Sequence, residues 1–202
     1  MHRTFLIFAT ALIALMAGAL FYAGRFPVQN ATPEPVAEVV ETGAYAPIFP
    51  AFKLTDIDGV ERDFSEWQDK HRLLNFWATW CAPCRREIPL LKTFQDEHGA
   101  DGFQIIGIAV DFPEQVSAYA EEAEFNYPIL VGQEDAMAVA ETSGIEFIGM
   151  PFTMIVAKDG ELINTHVGEI KDSHLEHIAK VLTMLDNGEI DKDSARKALN
   201  FL

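Results

Sequence analysis

Apolar and polar positions divide the 202-residue chain into three stretches. The first is apolar all round: 21 residues without a charge, Thr4 to Gly24, separate Arg3 from Arg25. A bilayer span needs roughly 20 apolar residues at about 1.5 Å rise each, so residues 1–24 predict a membrane anchor or an export signal. A buried core helix fits poorly, because the segment is apolar all round and the chain is short. Ala17-Gly18-Ala19 offers a small-residue cleavage site, yet Leu20, Phe21 and Tyr22 carry the run past it and favour a retained anchor. Arg3 predicts a short cytoplasmic tail, although Arg25 weakens that asymmetry. Both readings place the folded part in the periplasm or another extracytoplasmic space. Residues 25–46, with Pro27, Pro33, Pro35, Glu34, Glu38 and Glu41, predict a solvated linker.

From residue 47 the pattern alternates between strand and helix periods. Phe52–Leu54 and Val60–Arg62 flank Asp58-Gly59, a hairpin signal. Leu73–Trp77 predicts a buried strand, and residues 84–98 a helix with Ile88, Leu91 and Phe94 along one side. Phe103–Val110 predicts a strand in the middle of a sheet. Residues 114–124 predict a helix capped by Asp111 with Glu114 three residues on. A short strand over 127–131 and a helix over 133–141 follow. Phe152–Ala157 and Glu161–Val167 flank Asp159-Gly160 as a second hairpin. The last long helix opens at Ser173-x-x-Glu176 and runs Leu175, Ile178, Leu182 and Leu185 along one stripe. A βαβ unit, an antiparallel hairpin and a covering helix imply an α/β domain over 47–188, with one mixed sheet and helices on both faces. Residues 189–202 predict a short helical extension.

Charge and cysteine count narrow the functions. Lys and Arg number 15 against 31 Asp and Glu, a formal charge of -16, which argues against nonspecific nucleic-acid binding. The two cysteines, Cys81 and Cys84, cannot alone make a four-ligand zinc site or a multi-disulfide scaffold. The six histidines show no tight metal spacing, so neither a metal nor another cofactor is expected. What remains is one local pair in Trp80-Cys81-Ala82-Pro83-Cys84, which follows a buried strand and opens a helix. The first turn of a helix has free N–H groups and a positive dipole end, which favour a thiolate. Cys81 is therefore expected to be exposed and acidic, with Cys84 facing it from inside the first turn. Cys81 attacks a substrate disulfide and Cys84 resolves the mixed disulfide. A passive disulfide closing so small a ring would constrain the unfolded chain very little. By spacing alone Glu87 is an ordinary solvated glutamate on the same helix side, Asn75 a hydrogen-bonded core amide, and Pro151 trans, since cis occurs at only about 5–6% of X–Pro bonds.

The run from Asn75 through Trp80, Cys81, Cys84 and Glu87 to Pro89 resembles the TlpA/ResA-like thiol-disulfide oxidoreductases of the thioredoxin superfamily, and the related CcmG/DsbE proteins. Gly149-Met150-Pro151-Phe152-Thr153 is similar to their cis-proline loop, and His166-Val167-Gly168 is a third landmark. The resemblance covers roughly residues 45–186. It implies a thioredoxin-like fold, catalytic Cys81 and Cys84, a cis Pro151, and a client segment held at Trp80, Met150 and Pro151. It also makes Glu87 the active-site glutamate, taking over the proton handling that thioredoxins assign to a buried Asp at the place of Asn75.

The resemblance further implies a reductant. It would take electrons from a membrane thiol transporter of DsbD/CcdA type and pass them to a protein disulfide, such as that of an apocytochrome c or a copper-site protein. Between Thr93 and Ala157 there is no Lys or Arg but twelve Asp and Glu, a one-signed stretch that suits either steering of a basic client or plain solubility. A disulfide-forming oxidase, a Cu(I) metallochaperone using both thiolates with His166 as a third ligand, and a thiol peroxidase are the alternatives.

Overall fold

The computed structural model describes residues 48–144 and 149–200; the expected anchor and linker, residues 1–46, lie outside them. No helix among the described residues is long and apolar enough to cross a membrane. In chain order the elements are β1 (Lys53–Asp56), β2 (Glu61–Asp63), β3 (His71–Trp77), α1 (Ala82–His98), β4 (Phe103–Val110), α2 (Pro113–Ala123), β5 (Ile129–Gly132), α3 (Glu134–Thr142), β6 (Phe152–Val156), β7 (Leu162–Val167), α4 (Asp172–Asp186) and α5 (Lys192–Leu199). Single 3-10 turns occupy Phe64–Trp67 and Gly99–Asp101.

The uninterrupted apolar runs become the middle of the sheet, as expected for strands covered on both faces. The strand order is β2-β1-β5-β4-β3-β6-β7. β3 lies parallel to β4 and antiparallel to β6, and Asn75 is flanked by Gly107 and Thr153. Alternation along each strand separates two cores. Leu73, Trp77, Ile105, Ala109 and Ile155 pack with residues of α1, α2, α4 and α5. Leu74, Phe76, Ile106, Ile108 and Met154 pack with α3 and the Phe64–Trp67 turn. Asn75 stands between Leu73 and Trp77, so its side chain is on the α1 side of the sheet. Gly107 beside it leaves room for the Ile129 and Trp77 side chains. A Cβ there would stand 2.6 Å from Ile129 Cδ1 and 3.2 Å from Trp77 Nε1.

Two helix starts differ from the pattern-based expectation. α2 has Phe112 at its cap, and Asp111 serves another purpose, accepting from Thr79 N at 2.9 Å and Thr79 Oγ1 at 2.6 Å. α4 begins at Asp172, one residue before Ser173, and its cap residue Lys171 donates its N–H to His174 Nδ1 at 3.3 Å. The local signals were present, but a distant acceptor-seeking hydroxyl claimed Asp111.

The C-terminal extension joins the core. Ala195 and Leu199 are fully buried, Asn164 Nδ2 on β7 donates to the Leu199 carbonyl, and His177 Nε2 meets the Ala198 carbonyl at 3.0 Å. Lys192 pairs with Asp159 and Glu161, and Arg196 with Glu161. β7 is the last strand of the sheet, and α5 packs on it beside α4.

Candidate active site

β3 delivers the chain into a turn in which Cys81 N–H donates to the Ala78 carbonyl at 3.1 Å. Cys81 then caps α1, its Sγ accepting from Cys84 N–H at 3.3 Å. Pro83 sits in the first turn, where its missing N–H costs no helical bond. Cys81 and Cys84 form a disulfide, with Sγ atoms 1.94 Å and Cα atoms 5.3 Å apart. The expected exposure of Cys81 is not found: it is 6% exposed and Cys84 is fully buried. The fold-back onto the first turn places both sulfurs in the core, against which Met150 also packs. Trp80 is the side chain that projects, at 69% exposure.

One turn along α1, Glu87 is fully buried, against the solvated glutamate that spacing alone predicts. Its Oε1 accepts from Asn75 Nδ2 at 2.7 Å, and its Oε2 accepts from the Ile170 N–H at 2.7 Å. Asn75 Nδ2 also donates to Thr153 Oγ1 at 3.1 Å, so the core amide expected at Asn75 has the glutamate as its partner. Burial pushes the Glu87 carboxyl up to about 7, more than the two donors pull it down; the nearby Glu169 charge adds to the rise. A group titrating there is matched to proton transfer near neutral pH.

The Met150–Pro151 bond is cis. The Pro151 carbonyl accepts from the Gly168 N–H at 2.9 Å, and Phe152 pairs with both Phe76 and Val167. Pro151 therefore stands at the sheet end where β3 leads into the cysteine turn. Val167 is 54% exposed and Phe112, beside the Thr79–Asp111 contact, is 52% exposed. Trp80, Phe112 and Val167 give this end three of the five large exposed apolar side chains among the described residues.

The family described as Redoxin matches residues 43–182. The chain belongs to the redoxin family. Within it, the chain stands among the ResA-like thiol-disulfide oxidoreductases. It is 30% identical over 178 residues to the thiol-disulfide oxidoreductase ResA of Geobacillus kaustophilus, covering 86% of this chain and 95% of that one. It is 26% identical over 187 residues to the ResA of Bacillus cereus, covering 91% and 99%. In three dimensions it resembles a thiol:disulfide interchange protein of the thioredoxin family from Chlorobium tepidum, with a TM-score of 0.61 and 25% identity over 70% of this chain and 97% of that one.

This redoxin thus has a thioredoxin-like α/β fold with a mixed central sheet flanked by helices, and a Cys-x-x-Cys pair at the head of α1. The fold brings Cys81, Cys84, Glu87, Met150 and Pro151 to one end of the sheet, with Trp80 projecting from it. Sequence reasoning missed three contributors. Ile170 acts through a backbone N–H, which no residue type announces. Thr153 is polar in an apolar strand, the one signal that marked a buried partner for Asn75. Asp111 matches a helix cap in sequence and instead holds the cysteine turn through Thr79.

Proposed function

We propose that this protein is a membrane-tethered, extracytoplasmic reductant that passes two electrons from Cys81 and Cys84 to a client protein disulfide. The observation that carries this reading is the buried carboxyl of Glu87, one helical turn beyond Cys84 and poised near neutrality. The Cys81 thiolate attacks one sulfur of the client disulfide, and the other client sulfur leaves as a thiolate. Glu87 takes the proton from the Cys84 thiol. The Cys84 thiolate attacks Cys81 Sγ, the second client sulfur leaves, and the protein is left as the Cys81–Cys84 disulfide. A membrane dithiol donor of DsbD/CcdA type restores the thiols. The 21-residue uncharged run supplies the tether. Trp80, Met150 and Pro151 hold an extended client segment beside Cys81. Apocytochrome c, whose two haem-attachment thiols must be reduced, is the client this reading favours over a copper-site protein.

Trapping tests it. Full-length Cys84→Ser, reduced and exposed to extracytoplasmic proteins, is expected to retain a client on Cys81 as a mixed disulfide. An apocytochrome supports the reading, a copper-site protein replaces the client, and failure to trap any protein overturns it. Equilibration of the wild type with glutathione checks direction. A potential near thioredoxin's, about -270 mV, means reductant, and one near DsbA's, about -120 mV, makes the protein an oxidase.

A further inference from the structure

Arg86 and Glu87 are neighbours on α1, and their partners are neighbours too. Arg86 Nε donates to Glu169 Oε1 at 3.0 Å while its Nη2 reaches Glu169 Oε2, a two-pronged contact of guanidinium and carboxylate. The next residue, Ile170, donates its N–H to Glu87. Residues 168–171, which connect β7 to α4, have no helix or strand to hold their backbone. The Ile170 side chain is buried in the core, which settles where the loop lies; the 169–170 peptide itself is held by Glu87 on its N–H and, at the longer distance of 3.5 Å, by His166 Nε2 on its carbonyl. The ion pair grips residue 169 from the helix that carries Glu87, on the N-terminal side of that peptide.

We propose that the Arg86–Glu169 ion pair is a positioning device, orienting the 169–170 peptide so that its N–H stays on Glu87 and so setting the pH range over which Glu87 exchanges a proton with Cys84. The inference rests on the assignment of Glu87 as proton acceptor for Cys84. The titratable and charged groups around Glu87 are Cys84 and Arg86 on α1, Glu169 and Lys171 on the loop, Tyr127 ahead of β5, and His166 on β7, whose Nε2 lies 3.5 Å from the Glu169 carbonyl. Asn75 and Thr153 complete the surroundings without charge.

Charge and positioning pull in opposite directions here, and that makes the idea testable. Glu169→Ala removes a negative charge near Glu87 and frees the Arg86 cation, and both changes favour the ionised carboxylate. Loss of the Ile170 N–H disfavours it. In the oxidised full-length protein in detergent micelles, where the cysteines do not titrate, carboxyl carbon NMR follows Glu87 at its own resonance, assigned by the signal that Glu87→Gln removes. The midpoint for Glu169→Ala is expected to rise by about one pH unit, what is left of one lost hydrogen bond to a charged group after the opposing charge effects. Glu169→Gln removes the same charge but leaves an oxygen for Arg86, so its midpoint is expected below that of Glu169→Ala. Midpoints that stay or fall in both variants overturn the proposal. Arg86 is exposed and Glu169 half-buried, and neither is part of the packed core. Failure of the Glu87 assignment would show separately, as mixed-disulfide resolution in the wild type that is indifferent to pH across the Glu87 midpoint.

Discussion

Glu87→Gln isolates the chemistry of the buried carboxyl. Folding raises this group from an ordinary 4.5 to about 7. A carboxyl raised by folding contributes fully below its unfolded value, and the contribution is lost as pH rises through the folded one. At about 1.36 kcal/mol per pH unit, the oxidised wild type loses about 2.5 kcal/mol from this group alone between about pH 5 and about pH 8.5. Glutamine does not titrate, so the variant lacks this slope. It has a cost of its own. Asn75 Nδ2 and the Ile170 N–H are both donors, and the glutamine NH2 must face one of them. An unpaired buried donor costs about 1–3 kcal/mol, at every pH. The variant is therefore expected to be less stable than wild type near pH 5, and to draw level or overtake it near pH 8.5. Urea unfolding of both oxidised proteins across this range measures the difference. A stability difference that is constant with pH would refute the reasoning, because it would mean that Glu87 ionises in the fold as it does in water. In the reduced protein the same substitution is expected to flatten the rise in mixed-disulfide resolution centred near pH 7, the Glu87 midpoint.

Other perturbations probe the frame around the site. Leu199→Ala empties a fully buried position where α5 meets the sheet and is expected to cost about 2–4 kcal/mol in urea unfolding; a loss under about 0.5 kcal/mol would show that α5 is dispensable. Asp111→Ala removes the acceptor for Thr79 N, Thr79 Oγ1 and the Phe112 N–H, with an expected loss of about 2 kcal/mol. Amide exchange at Thr79 and Trp80 is expected to quicken in that variant, and unchanged protection there would mean that the cysteine turn is held by other contacts.

The scaffold was legible in the sequence to the extent that local forces decide it. β4 has the span its apolar run predicted, and α1 follows the stripe of Ile88, Leu91 and Phe94. Helix ends were less legible. Asp111 matches a cap pattern, and its side chain goes instead to a tertiary partner, Thr79.

The redox pair itself follows from order along the chain. A buried strand followed by Cys-x-x-Cys at a helix start places one sulfur at the cap and the other inside the first turn, whatever the rest of the molecule does. The state of Glu87 does not follow from order. Its spacing from Cys84 permits a solvated carboxylate, and its burial depends on Asn75 twelve residues before it and on a backbone N–H 83 residues after it. Periodicity is a property of neighbours in sequence, so the sequence by itself determined the strands, the helix and the cysteine pair. Desolvation is a property of neighbours in space, and only the packing of the β7–α4 connection over α1 made a surface-patterned glutamate into a buried group that titrates near neutrality.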